Sequence, residues 1–409
     1  MSESINFKAL AVDVGYDFVK VVKGSRGEDK LMYPSVVTVA GASVIGDYFH
    51  DKRFSADNML IEFEGNNYYI GSAAEERGGE RSFVQDKFMN PKELAKFLGG
   101  VYYAALEEAV FDENDQDIYY DVNRWPREVN IERLVVGLDI DTFYRFKDDY
   151  RMLFQGKSFD VKVAGMKNLV SLNINNVNVI AQGIGAYWNE VLDFTGSQKS
   201  GNTNTNINIS NGKYGVVDIG GLTIDFFIAK SSDIFKETVS GSNLGLYNAF
   251  NDVAKSYEEE IPVRKIEDAF IKGSNKFYHN RERTLGNKLE VAFASLADSV
   301  YEKIVSKWNR HIQDIRDIYL CGGGANALKP YFDDSFQHKN IEMFKDQQYS
   351  NALGYYKIGM YRNKFDGNTK SNTKSNTKSN TKTNTKSNKN SNQDKTNNKN
   401  NNKATVNKD

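Results

Sequence analysis

Short apolar runs broken by glycine alternate along this chain with longer stretches of helical spacing. Residues 9–12 and 19–22 are apolar runs around a glycine-containing turn, which predicts a hairpin whose first strand is buried. Residues 62–64 and 68–70, joined by Gly65-Asn66-Asn67, predict a second hairpin. Pro91 opens a helical pattern through Leu94, Phe97, Val101, Ala105 and Val110, with proline in its favoured first-turn place. Residues 134–138 and 177–181 read as short strands, and 214–219 and 223–229 flank another glycine turn. A long helix is expected over 285–312, and a strand over 318–320 that runs into Gly322, Gly323 and Gly324. Hairpins that open two stretches of chain, each followed by helices, predict an α/β protein with an approximate internal duplication.

Composition changes this picture in two places. The chain has 409 residues, 40% of them hydrophobic, enough for a large core in two or three domains. Residues 366–409 stand apart, with SNTK repeated and then decaying into Asn and Lys. Almost without apolar side chains, this tail cannot offset the entropy of ordering, and disorder is expected there. Residues 196–212 read as a long polar loop for the same reason. The tail holds ten Lys against three Asp, so a chain of net −1 divides into a tail of +7 and a body of −8. An acidic body argues against broad electrostatic attraction of nucleic acid by the folded part.

Cys321 is the only cysteine, so no intramolecular disulfide can form, which suits a reducing compartment. The first seven residues carry Glu3 and lack a basic start followed by an apolar stretch, so no secretory signal is expected. No apolar run approaches the roughly 18 residues of a membrane span. A cytoplasmic protein without membrane attachment is the expectation.

Three glycine turns carry the candidate chemistry. The first runs from Asp13 through Gly15 to Lys20 at the end of a buried strand. Glycine lets backbone N–H groups approach phosphate oxygens, whereas a carboxylate beside them suits Mg²⁺ or its water shell. Lys20, on the returning strand, can set a cation against the same phosphates. Taken alone, this motif is weak, and an ordinary hairpin turn is the better reading of it. The second turn repeats it, with Asp218, Gly220, Gly221, Leu222 and Thr223 ahead of Asp225. Two such hairpins facing one another could clamp a polyphosphate between two carboxylates that share one metal. The third, Gly322 to Gly324 after a strand, permits close approach to a flat ligand or a phosphate. It lacks the Lys-Ser/Thr of a P-loop, and no strand-following G-x-G-x-x-G occurs.

In this order the three turns resemble the two phosphate motifs and the adenosine motif of the actin and sugar-kinase superfamily, over roughly residues 7–365. That resemblance implies an actin/sugar-kinase-like α/β fold of two duplicated domains with ATP and Mg²⁺ in the cleft between them. It implies a first domain of residues 1–181 with 345–365 and a second of 182–344. By the same resemblance Asp13 and Asp218 organise the metal, largely through water, and Lys20 meets the phosphates. Gly15, Tyr16, Gly220, Gly221, Leu222 and Thr223 would line the phosphate loops, and Gly322, Gly323 and Gly324 would face the adenosine. Gln182, at the start of the connecting helix, stands where the family positions the attacking water; an ordinary capping or hinge Gln is the other reading. Asn243 lies in a turn resembling the one before the ribose-contacting helix, and Asn351–Gly354 resembles the second interdomain helix. ParM relatives commonly show Pro-Glu where this chain has Ala181-Gln182, a feature more like actin. The choice between ATP and GTP stays open.

Among functions that use this fold, heat-shock chaperones carry a substrate domain after the ATPase, and only the polar tail follows here. Membrane-attached shape proteins carry amphipathic ends, which the tail lacks. The DVGY turn, the VVGLD strand end at 135–139 and the DIGGLTID turn look most like plasmid-segregation proteins of the ParM type. That resemblance implies an ATPase forming a homopolymeric filament that partitions plasmid DNA through a DNA-bound adaptor of the ParR type. The alternative from another class is a non-polymerising sugar- or acetate-type kinase.

Overall fold

The computed structural model describes residues 4–24, 29–41, 54–82, 90–110, 125–164, 166–199, 212–230, 233–337 and 339–372. Two sheets carry the architecture, and each contains one of the Asp-Gly hairpins. In the first, an 11-stranded mixed sheet, Leu10–Val14 and Phe18–Lys23 pair antiparallel with Asp13 opposite Lys20. Glu128–Leu138 joins in parallel beside Leu10–Val14, and Val170–Ala181 in parallel beside that. In the second, a 6-stranded sheet, Lys213–Ile219 and Ile224–Lys230 form the hairpin with Asp218 opposite Asp225. Ile315–Cys321 and then Asn340–Met343 extend it in parallel. Hairpin followed by two parallel strands, in the same spatial order in both sheets, is the internal duplication that the sequence pattern suggested.

Strands covered on both faces read as unbroken apolar runs. Leu10, Ala11 and Val12, and likewise Val216 and Val217, are fully buried. Two strands run well beyond the apolar runs that announced them. Glu128–Leu138 begins six residues before residue 134, because Glu128, Asn130 and Glu132 alternate with buried Val129 and Ile131. That half of the strand has one wet face, so its signal is alternation and not a run. Val170–Ala181 starts early for the same reason, with Leu172 and Ile174 buried between Ser171 and Asn173. The hairpin of Met59–Phe63 and Asn66–Ile70 turns on Glu64-Gly65, one residue before the expected place. Both residues take positive φ, 49° and 75°, as a tight two-residue hairpin loop demands.

The helix Pro91–Val110 starts at the expected proline, with Asn90 Oδ1 accepting from the Lys92 N–H at 2.9 Å. The long helix Lys288–Trp308 stops before residue 312 because Asn309 adopts φ 43°, and the chain continues as a 3-10 turn over Asn309–Asp314. The first sheet's core gathers Tyr33, Phe54, Tyr102 and Phe154, and the second's gathers Phe226, Phe250, Phe293 and Trp308.

Where the chain passes between the sheets, two helices cross. Ile184–Val191 meets Ser350–Asn372 at Gly185 and Gly354, and a Cβ on Gly354 would run into the carbonyl oxygen of Gly185. Only glycine permits that approach. Asn351 secures the crossing, its Oδ1 accepting from the N–H groups of Gly183 (2.9 Å) and Ala186 (3.0 Å).

The helix Ser350–Asn372 reaches into the polar tail; residues 373–409, and 200–211 of the polar loop, lie outside the described residues. Among the described residues no helix is long and apolar enough to cross a membrane.

Candidate functional site

The strand ends converge. A cavity of about 800 Å³ is lined by Asp13, Gly15, Tyr16 and Lys20 from the first turn and by Gln182 from the connecting segment. Asp218, Gly220, Gly221, Leu222 and Thr223 of the second turn line it as well, together with Asn243 and Gly322, Gly323 and Gly324. All the candidate site residues named from the sequence thus share one cavity, although they lie up to 311 positions apart (Asp13 to Gly324).

The two Asp-Gly turns are closed in the same way. Gly15 N–H donates to the Phe18 carbonyl at 3.1 Å, and Gly220 N–H to the Thr223 carbonyl at 2.9 Å. In the first, the Lys20 ammonium lies 3.2 Å from Asp13 Oδ2, and Gln182 Nε2 donates to Asp13 Oδ1 at 3.1 Å. Asp13 is 2% exposed, so this pairing offsets the cost of holding its charge away from water. In the second, Asn351 Nδ2 donates to Asp218 Oδ2 at 2.6 Å. The third turn is fitted to the second: Gly324 N–H donates to the Ile219 carbonyl at 2.9 Å. Gly322, at φ 85°, leaves room for Asp218; a Cβ there would strike the Asp218 carboxylate. The helix Leu246–Lys255 starts on the second turn, with Tyr247 N–H donating to the Gly221 carbonyl at 2.8 Å.

Charge is unevenly distributed. Burial raises the pKa of Asp218; Asp13 adds to this, and the Asn351 hydrogen bond opposes it. Asp225 is pushed well above the carboxylate range, first by burial and then by Asp139 and Asp218. Its Oδ1 accepts from the Ile140 N–H at 3.2 Å. An excess of carboxylate at the strand ends fits a divalent cation, and the glycine turns beside it fit a polyphosphate. Among the described residues no group of three or more His, Cys, Asp or Glu side chains is placed to hold a metal.

Some residues of the site escaped the sequence reading. Asn351 and Asp225 lay inside the quoted motifs, yet their roles follow only from the helix crossing and the strand register. Arg81, Glu267 and Asp17 form a charged cluster beside the cavity, with Arg81 Nη1 3.0 Å from Asp17 Oδ1 and also bonded to Glu267 Oε1. No local motif marks Arg81 or Glu267.

Comparison with known proteins agrees with this geometry. The family model of the N-terminal domain of actin-like proteins matches residues 11–185. That of the C-terminal domain of an archaeal MreB-like actin homologue matches residues 216–334. No individual curated protein matches the sequence. Among solved structures, the actin-like protein Alp7A superposes with a TM-score of 0.70 at 14% identity, over 90% of this chain and 100% of its own. A protomer of a 15-stranded ParM filament from Clostridium botulinum gives 0.62 at 18%, over 87% and 99%. The ADP complex of Ta0583, an archaeal actin homologue, gives 0.58 at 17%, over 85% and 97%. At these identities the likeness is one of fold, and the fold is that of actin.

Proposed function

We propose, from the premise that this chain belongs to the actin-like proteins, that it binds ATP with Mg²⁺ in the cavity between its two sheets and hydrolyses it to time the assembly of a filament of its own copies. The observation that carries this reading is the convergence of three glycine turns, the buried carboxylates of Asp13 and Asp218, Lys20 and Gln182 on a single cavity. Likeness to a ParM filament protomer supports the filament, and monomers adding head to tail would make a contact that propagates instead of closing. Plasmid partition through a DNA-bound adaptor of the ParR type, in the cytoplasm, is the role that such a filament would serve.

In this reading the residues divide the work. The two turns hold the phosphate chain from opposite sides, and Lys20 meets its negative charge. Bound Mg²⁺ would neutralise charge that develops on the phosphate oxygens. Asp13 and Asp218 would fix the water shell of that ion. Gln182, oriented by its bond to Asp13, would align a water for in-line attack; an amide can orient but not deprotonate strongly. Gly322, Gly323 and Gly324 with Asn243 would take the nucleoside.

Light scattering of the purified protein across a concentration series in Mg²⁺-ATP, with phosphate release followed in parallel, tests this. Scattering above a critical concentration that decays as phosphate accumulates is the expected result. Turnover that needs an added acceptor, with no scattering at any concentration, would transfer the site to a small-molecule kinase.

A further inference from the structure

Beside the cavity, a network of charges ties elements of the two sides together. Arg81, in the short strand Glu80–Arg81 of the first sheet, is 7% exposed. Its guanidinium meets Glu267 of the helix Val263–Ile271, which packs with the core of the second sheet. It also meets Asp17 of the first glycine turn at 3.0 Å and Glu75 at 3.8 Å. A second arginine on the same helix, Arg264, reaches back to Glu75 at 2.7 Å. Glu75 and Arg81 therefore face Arg264 and Glu267 in a two-arginine, three-carboxylate bridge.

We propose that Arg81 is a clasp: it holds the sides of the cavity together and sets how fast a nucleotide leaves. The inference rests on the nucleotide reading above and adds a determinant of release to it. Two consequences of the geometry support it. First, Arg81 and Glu267 are each 7% exposed and bonded to one another, so parting them breaks a bond that water does not screen. Second, Arg81 grips Asp17, whose carboxylate lies against Gly221 of the second turn. Without the guanidinium that carboxylate would repel a phosphate held there. Closing the clasp and preparing the phosphate turns are thus one event.

The bridge carries one carboxylate too many. Around Glu267 stand Arg81, Asp17 and Tyr16 from the first side, with Glu75 beyond Arg81 and Arg264 and Asp268 on its own helix. Burial, and then Asp17, raise the Glu267 carboxyl to about 7, against the pull of Arg81. The closed cleft consequently holds this proton more tightly than an open one would. Closure is favoured below neutrality and weakened as pH rises from the ordinary carboxylate range through about 7.

Stopped-flow release of mant-ATP, chased with unlabelled ATP, reads the clasp directly. Arg81→Gln should release about ten-fold faster than wild type. Glu267→Gln added to Arg81→Gln should change the rate less than about two-fold, since its partner is already gone. Wild-type release should quicken between about pH 6 and pH 8, and Glu267→Gln should flatten that profile. Release from Arg81→Gln at the wild-type rate, multiplicative effects of the two changes, or a flat wild-type profile would each overturn the clasp. Failure of the wild type to bind mant-ATP would instead strike the nucleotide reading. The clasp has its own readout in that case: amide exchange across Val263–Ile271 in nucleotide-free protein should quicken in Arg81→Gln, and unchanged exchange would refute it.

Discussion

The two Asp-Gly hairpins are built alike and charged differently. Each sets an aspartate at the end of a buried strand, closes its turn from a glycine N–H, and pairs the aspartate with a residue seven positions on. Opposite Asp13 that residue is Lys20; opposite Asp218 it is Asp225. One hairpin is internally neutralised, whereas the other gathers carboxylates whose pKa values are raised by burial and then by neighbouring carboxylates. Duplication of a fold thus need not duplicate a role. In the proposed reading the first hairpin would supply the cation for a phosphate chain, and the second an acidic wall that a metal ion would complete.

Removing the cation should have the largest effect. Lys20→Ala leaves Asp13 buried without its ion pair and, in the proposed reading, would remove the cation that meets the phosphates. Calorimetry should show Mg²⁺-ATP affinity down by about a hundred-fold. Asp218→Ala acts on the acidic wall. Phosphate release should slow about ten- to a hundred-fold while scattering still reports assembly; phosphate release at the normal rate would remove Asp218 from the metal site. Asp225→Asn should do least, since burial and its neighbours already favour the protonated acid, which an amide resembles. Because its folded pKa is raised, wild type loses stability as pH climbs above the ordinary carboxylate range, and the amide variant should not. Melting curves near pH 8 should place the variant equal to wild type or about 1 kcal/mol above it. A variant markedly less stable there would show that Asp225 is needed as an anion.

The same contrast explains what could be read from the sequence. Both glycine hairpins announced themselves because buried strands are continuous apolar runs and glycine marks where they turn. Asp13, Lys20, Asp218 and the glycines were visible as local patterns. Gln182 and Asn243 were visible only through the family resemblance. Asn351 was visible as a residue but not as the donor that holds Asp218, because that contact spans 133 positions. Arg81 and Glu267 lie 186 positions apart in segments without a motif, and only the fold brings them together. The one-sided strand halves at 128–133 and 170–176 went unread because alternation with polar residues is a weaker signal than a run.

The most direct test of a clamp built from two hairpins is calorimetric titration of the nucleotide-free protein with Mg²⁺-ATP and, separately, with AMP. If both turns hold the phosphate chain, ATP should bind at least about a hundred-fold more tightly than AMP, and Lys20→Ala should collapse most of that difference. Equal affinity for ATP and AMP, or a difference untouched by Lys20→Ala, would contradict the polyphosphate clamp.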